Sequence, residues 1–157
     1  MRRSAQEIQS REQIYRILAG AQVCRLGFCR DNRPYIVPVN FGYDGQHIFF
    51  HTAREGLKIE MMTANPWVCF EVEEDVRIAA DELSACGWGC SYTSVIGSGT
   101  VAEVADPQLK AAALNQVMRH YSGRDWEFDP GSLARSRVWQ ITIDEISGKQ
   151  SKDRIEA

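Results

Sequence analysis

The sequence predicts a mainly β, α+β domain whose antiparallel strands curl toward a barrel. Three observations predict it. Six segments alternate apolar and polar residues with period two, the mark of half-buried strands. Asp44-Gly45 sits between two of them as an antiparallel hairpin signal. Helical segments do not alternate regularly with strands, which argues against a parallel sheet, and barrel closure would also remove sheet edges.

Residues 1–9 are polar and are expected to form an N-terminal arm. Ser10 and Gln13 have capping-box spacing, and Ile14, Ile17, Leu18 and Ala21 make a helical stripe with a stop at Gly20. Cys24, Leu26 and Phe28 alternate with Arg25 and Gly27 as a strand, and Arg30 to Arg33 is a polar turn. Pro34 to Phe41 reads as one strand. His47 to His51 is its return across Asp44-Gly45, where positive φ angles suit a two-residue loop. A helix over 55–64 stops at Asn65-Pro66, because the residue before proline is driven out of helical conformation. Val68, Phe70 and Val72 mark the next strand, and residues 75–90 are less regular. Ser91 to Val104 is a long strand thinned at Gly97 and Gly99. Asp106-Pro107 opens a helix to about Tyr121, with Leu109, Ala113 and Val117 on one face. Ser122 to Gly131 is a polar turn holding Trp126 and Phe128, and Val138 to Ile146 is the last strand. Residues 10–149 thus form one domain, followed by a charged tail at 150–157.

A chain of 157 residues can bury a proper core. A formal charge of −3 gives no electrostatic reason to expect nucleic acid or an acidic membrane as partner. No apolar run approaches the ~20 residues of a membrane span. Met1-Arg-Arg leads into Ser-Ala-Gln-Glu, so no signal peptide is expected. Five cysteines, an odd number without framework spacing, favour a reducing cytoplasm.

The segment from Thr52 to Lys58 is the candidate anion-binding corner. Thr52 and Glu55 have the spacing of a capping box, so a helix is expected to start there. A helix start presents unpaired N–H groups and partial positive charge, to which Arg54 and Lys58 add full charges. The same residues also read as a capped surface helix with solvated cations.

These residues allow a resemblance to be stated. Cys24-Arg-Leu-Gly-Phe28, Pro34-Tyr-Ile-Val-Pro-Val-Asn-Phe-Gly-Tyr43 and Phe50-His-Thr-Ala-Arg-Glu-Gly-Leu-Lys58 resemble segments of the flavin-binding split barrels that include pyridoxine phosphate oxidases. So do Asn65-Pro66, Val68-Cys-Phe-Glu-Val72, Ser94-Val-Ile-Gly97, Met118-Arg-His-Tyr121 and Ile146-Ser-Gly-Lys149. The ordered set is most similar to the nitroimidazole-resistance (Nim-like) branch. The resemblance implies a six-stranded antiparallel split β-barrel with two to three flanking helices, a homodimer, and FMN near the subunit interface. It implies flavin contacts from Val37, Pro38, Val39 and Asn40, with His51, Thr52 and Lys58 near the phosphate or ribityl end. Ser94 and Val95 would approach from another side. The implied activity is reduction of small electron-poor compounds such as nitroaromatics; the alternative is a protein that binds FMN or haem without turnover. Two departures lower the prospect of vitamin B6 chemistry. Leu57 precedes Lys58 where those oxidases tend to carry paired cations, and no basic substrate motif is evident from Gly148 to Ala157. Ser98 stands where the Nim-like pattern often has a larger residue, which leaves the pocket shape open.

Other constellations are weaker. Pro38 inside a strand cannot donate to a ladder, so an edge or ligand-facing position is expected. His51 reads as a cofactor contact, a proton donor to substrate or an axial haem ligand. His47 shares its strand face, but no third metal ligand is spaced to join them, and no metal is expected. Cys86 and Cys90 are half of a zinc spacing and read as free thiols. Trp88, between two glycines, either folds over a flat ligand or fills a core gap. Gly97-Ser-Gly99 lacks the third glycine of a dinucleotide fingerprint. His120 and Tyr121 read as an ordinary helix end.

Overall fold

A computed structural model describes residues 4–151. Its eight strands form one antiparallel sheet in which β3–β2–β6–β7–β8–β5–β4 are successive neighbours. In chain order the elements are β1 (Glu7–Ile8), α1 (Arg11–Gly20), β2 (Cys24–Arg30), β3 (Arg33–Val39), β4 (Phe41–Tyr43) and β5 (His47–Thr52). There follow α2 (Leu57–Ala64), β6 (Trp67–Ala79), β7 (Gly89–Glu103), α3 (Pro107–Ser122), α4 (Pro130–Arg135) and β8 (Arg137–Gln150).

Local signals account for most boundaries. Ser10 accepts the Gln13 N–H and starts α1, which buries Ile14, Ile17 and Leu18. Asp106 accepts the N–H groups of Gln108 and Leu109, Pro107 opens α3, and left-handed Gly123 ends it. The buried face of α3 is Ala113, Leu114 and Val117, whereas Leu109 in the first turn is exposed. Asp31 and Asn32, at φ 51° and 60°, form the tight turn between β2 and β3. At Asp44-Gly45 only Gly45 has positive φ. There the Asp44 carboxylate makes the turn, accepting the N–H groups of Gln46 and His47.

The strand expected from Pro34 to Phe41 is two strands. β3 pairs with β2, ending at Val39↔Cys24, and β4 pairs with β5, starting at Phe41↔Phe50. These two strands end the sheet on opposite sides, yet only Asn40 separates them in the chain. The sheet must therefore curl until its edges meet at Asn40. That curl produces the split barrel and raises the strand count above six. The other added strand is β1: Glu7 and Ile8, within the expected arm, pair with Lys149 and Gly148 of β8, and a short 3-10 turn over Ser4–Gln6 precedes them. Residues 1–3 of that expected arm, and most of the expected charged tail, lie outside the described residues.

Leu26, Phe28, Phe41, Phe50, Phe70, Val72, Val95 and Ile141 fill the interior. A second cluster lies outside β5 and β8, where Phe49 and Val138 meet Ala113, Leu114 and Val117 of α3. β5 is thus buried on both faces, which accounts for the unbroken run Ile48, Phe49, Phe50. Gly42 permits the close approach of α3 to β4. A Cβ there would stand 2.5 Å from the Val117 nitrogen and closer still to the Gln116 carbonyl. The β6–β7 ribbon runs past the barrel, from Trp67↔Thr100 to Ala79↔Gly89, with a register shift between Glu74 and Arg77. This ribbon leaves Val76, Ile78, Leu83 and Trp88 exposed.

Candidate functional site

β3 is an edge strand, which resolves the position of Pro38: it faces outward and one side of its strand has no ladder to serve. Val37 is half-buried, Val39 is buried, and Pro38 and Asn40 are exposed. Phe41 pairs with Phe50, so the next residues on each side, Asn40 and His51, share one end of the β4–β5 hairpin. The structure thereby brings the end of β3 to the corner after β5.

α3 holds this junction in place. The Tyr121 hydroxyl accepts the Phe41 N–H at 3.2 Å and donates to the Gln22 carbonyl at 2.7 Å. His120 Nε2 lies 2.7 Å from the Ala21 carbonyl, and its ring packs 4.5 Å from that of Phe41. These two residues were expected to be an ordinary helix end; they instead clamp the turn into β2 against the Asn40 bend. Tyr121→Phe should cost about 1–2 kcal/mol, because both backbone groups lose their partner. Urea unfolding followed by circular dichroism checks this.

The corner departs from the expected capping box. Thr52 is the last residue of β5 and is buried; its hydroxyl accepts from Trp139 Nε1 at 3.0 Å and donates to the Ala53 carbonyl. With that oxygen engaged, helix α2 starts at Leu57, two residues beyond the expected start at Glu55. Its N-cap is Gly56 at φ 134°, and no side chain caps it. The first intrahelical bonds come from Ile59 and Glu60 to the Gly56 carbonyl. The N–H groups of Leu57 and Lys58 are thus left for an external anion, and no Cβ from Gly56 obstructs them. Lys58 is half-buried beside them. Partial burial first, and the Lys58 charge second, hold His51 below its usual pKa of 6.5. Folding therefore favours the neutral ring. That contribution is complete above pH 6.5 and is lost as pH falls through 6.5 toward the lower folded value. Urea midpoints should accordingly drop less on mild acidification in His51→Gln than in the parent protein.

Arg54 does not join Lys58. It lines a separate cavity with Glu103, Lys110 and Arg137. Ser94 is half-buried on the outer side of β7, three strands from Pro38 along the sheet, roughly 14 Å at ordinary strand spacing. Val95 points inward, is fully buried, and lies on a strand paired on both sides, so its side chain is core. His47 bonds to the Asp44 carboxylate at 3.1 Å. Among the described residues no group of three or more His, Cys, Asp or Glu side chains could hold a metal ion. All five cysteines are free thiols. Trp88 is exposed on the ribbon and fills no core gap within this chain. Among the described residues no helix is long and apolar enough to cross a membrane.

Comparison with known proteins bears on this geometry. Residues 10–150 match the pyridoxamine 5'-phosphate oxidase family. The chain belongs to that family. A solved structure of a candidate 5-nitroimidazole antibiotic resistance protein from Bacteroides thetaiotaomicron is 28% identical, with a TM-score of 0.81 over 91% of this chain and 85% of that one. An FAD-binding protein from Mesorhizobium loti is 26% identical, with a TM-score of 0.67 over 91% of this chain and 96% of that one. An FAD and heme binding protein from Mycobacterium smegmatis shares the fold, with a TM-score of 0.81 at 19% identity over 94% of this chain and 74% of that one. An uncharacterized protein of Rhizobium meliloti (strain 1021) is 34% identical over 67 residues; the match spans 43% of this chain and 44% of that relative. The split-barrel architecture of the family is the one the curled sheet shows.

Proposed function

We propose that this family member binds FMN as a cytoplasmic homodimer and reduces small, electron-poor compounds of the nitroaromatic type. The observation that carries the reading is the uncapped start of α2. Two free N–H groups and Lys58 meet there, at the end of an edge strand whose outer backbone groups are unpaired. A phosphate suits the first feature. The polar rim of a flavin ring, passing Val37 to Asn40, suits the second. FMN supplies the electron chemistry when bound, and the protein holds and orients it. Leu57 in place of a second cation weighs against vitamin B6 chemistry as the activity of this chain. The test of cofactor identity is chromatography of what denaturation releases. Stoichiometric FMN is the expected result, and stoichiometric FAD would overturn the mononucleotide assignment.

Ser94 bears on the homodimer. It lies three strands from Pro38 along the sheet, roughly 14 Å at ordinary strand spacing, and a second copy is the reading in which a Ser94 meets the corner. The outer face of β3, β2, β6 and β7 exposes Ile36, Trp67 and Ile96, and the ribbon beyond exposes Val76, Ile78, Leu83 and Trp88. Large apolar groups in one region are the signature of a partner surface. Sedimentation equilibrium at micromolar concentration with FMN should give a dimer; a monomer alone would contradict it.

His51 is the proposed substrate-facing residue. Its depressed pKa keeps the imidazole neutral at neutral pH, in the form that donates one hydrogen bond to a nitro oxygen. In flavin-loaded protein given a reductant and a nitroimidazole, His51→Ala should slow reduction while flavin stays bound. An unchanged rate would remove His51 from the reaction. Loss of flavin would make it a cofactor contact. A neutral imidazole is also the form that ligates haem, which keeps a second reading: FMN or haem binding without turnover. Absence of any reduction by the parent protein would favour that reading.

A further inference from the structure

The cavity that takes Arg54 away from Lys58 has its own logic. Five segments build it. Arg54 comes from the loop after β5, Glu103 from the end of β7, Lys110 from the first turn of α3, Ser136 from the residue after α4, and Arg137 from the start of β8. Its volume is about 320 Å3. Three cations and one carboxylate line it, a local charge of +2 in a chain of net charge −3.

Two of the cations are fixed in place. The Arg137 guanidinium is paired with the Glu103 carboxylate through Nε at 2.9 Å and through Nη2, and it stacks 4.6 Å from the centre of the Trp139 ring. The Lys110 ammonium donates to the carbonyls of Leu133 and Ser136, which leaves one of its three N–H bonds for another acceptor. Carbonyls orient a cation without neutralising it. Among the described residues the only carboxylate lining the cavity is Glu103; the Arg137 hydrogen bond first, then the Arg137 and Lys110 charges, pull its pKa down against partial burial. Arg54 makes no ion pair among the described residues. A pre-set guanidinium, an anchored ammonium and an unpaired guanidinium around one small polar cavity suit a compact dianion.

We infer that this cavity is a second anion site that takes a phosphate group, separate from the corner ending at Lys58. The site stands on these residues, and the identity of its occupant rests on the FMN reading. A mononucleotide has one phosphate, which the corner would take, so the expected occupant is a separate phosphate or phosphate monoester.

The test titrates FMN-saturated protein with inorganic phosphate at low ionic strength, by calorimetry or phosphorus NMR. Saturable binding of one phosphate per chain is expected. It should weaken roughly tenfold or more in Arg54→Gln and in Lys110→Met. Arg54 is exposed and makes no ion pair among the described residues, so its variant keeps the test valid should Lys110→Met fail to fold. FMN and FAD affinities separate the possible sources. If Arg54→Gln weakens FAD by a similar factor and leaves FMN unchanged, the phosphate is the second one of a dinucleotide; the cavity assignment stands and the mononucleotide assignment falls. If neither flavin is affected while phosphate binding is lost, the occupant is a separate phosphate. No saturable phosphate binding by the parent protein, or binding that survives both cavity variants, overturns the inference.

Discussion

Gly42→Ala is expected to destabilise the protein by about 3 kcal/mol, the upper end of the overpacking range. The added methyl meets the Gln116 carbonyl and the Val117 nitrogen, which are helix backbone and cannot rotate aside. α3 would have to lift from β4, and Tyr121 and His120 with it. For a chain of this length the melting temperature should fall by roughly 6–12 °C. Differential scanning calorimetry reads this directly. A variant that melts with the parent protein would mean that α3 does not press on β4 at this residue. Flavin affinity should fall in parallel, because the same helix clamps the Asn40 bend.

The second large effect concerns Lys58. Lys58→Ala should weaken FMN by about ten- to 150-fold, the range of a charge-assisted hydrogen bond worth about 1.5–3 kcal/mol. Riboflavin, which has no phosphate, should bind the variant and the parent equally. Quenching of flavin fluorescence measures both affinities. Equal losses for the two ligands would place Lys58 near the ring or the ribityl chain, and an unchanged FMN affinity would remove it from the site.

Signals confined to one turn of chain were readable from sequence. Ser10 and Asp106-Pro107 start helices because each acts on a backbone group within four residues. Asp129-Pro130 repeats the Asp106-Pro107 signal, and Asp129 accepts the Ser132 N–H at the start of α4. That helix begins at the end of what reads as a polar turn and runs on through 132–135, which carry no sequence assignment, although the same rule could have found it. Thr52 failed for a different reason. Its spacing to Glu55 is that of a capping box, but its hydroxyl is engaged by Trp139, 87 residues away in sequence. No local pattern carries that information.

The break at Asn40 was hidden by continuity. Val39 and Phe41 both point inward, so the alternation of Val37, Val39 and Phe41 runs unbroken across the change of partner strand. Periodicity reports which face is buried and not which strand is adjacent. The corner was legible as a place, since Gly56, Lys58 and His51 are close in sequence. Its division was not. Whether Arg54 stands beside Lys58 or beside Lys110 depends on where β7, α3 and β8 end. Tyr121 and His120 were hidden for the same reason, since their partners at Ala21, Gln22 and Phe41 come from distant segments.

The most direct measurement of the central claim is the absorption spectrum of the purified protein, followed by chromatography of the chromophore that denaturation releases. The account predicts a flavin spectrum, with one FMN recovered per chain. A colourless protein that takes up neither FMN nor FAD on reconstitution, or one that shows a haem spectrum without flavin, would contradict it.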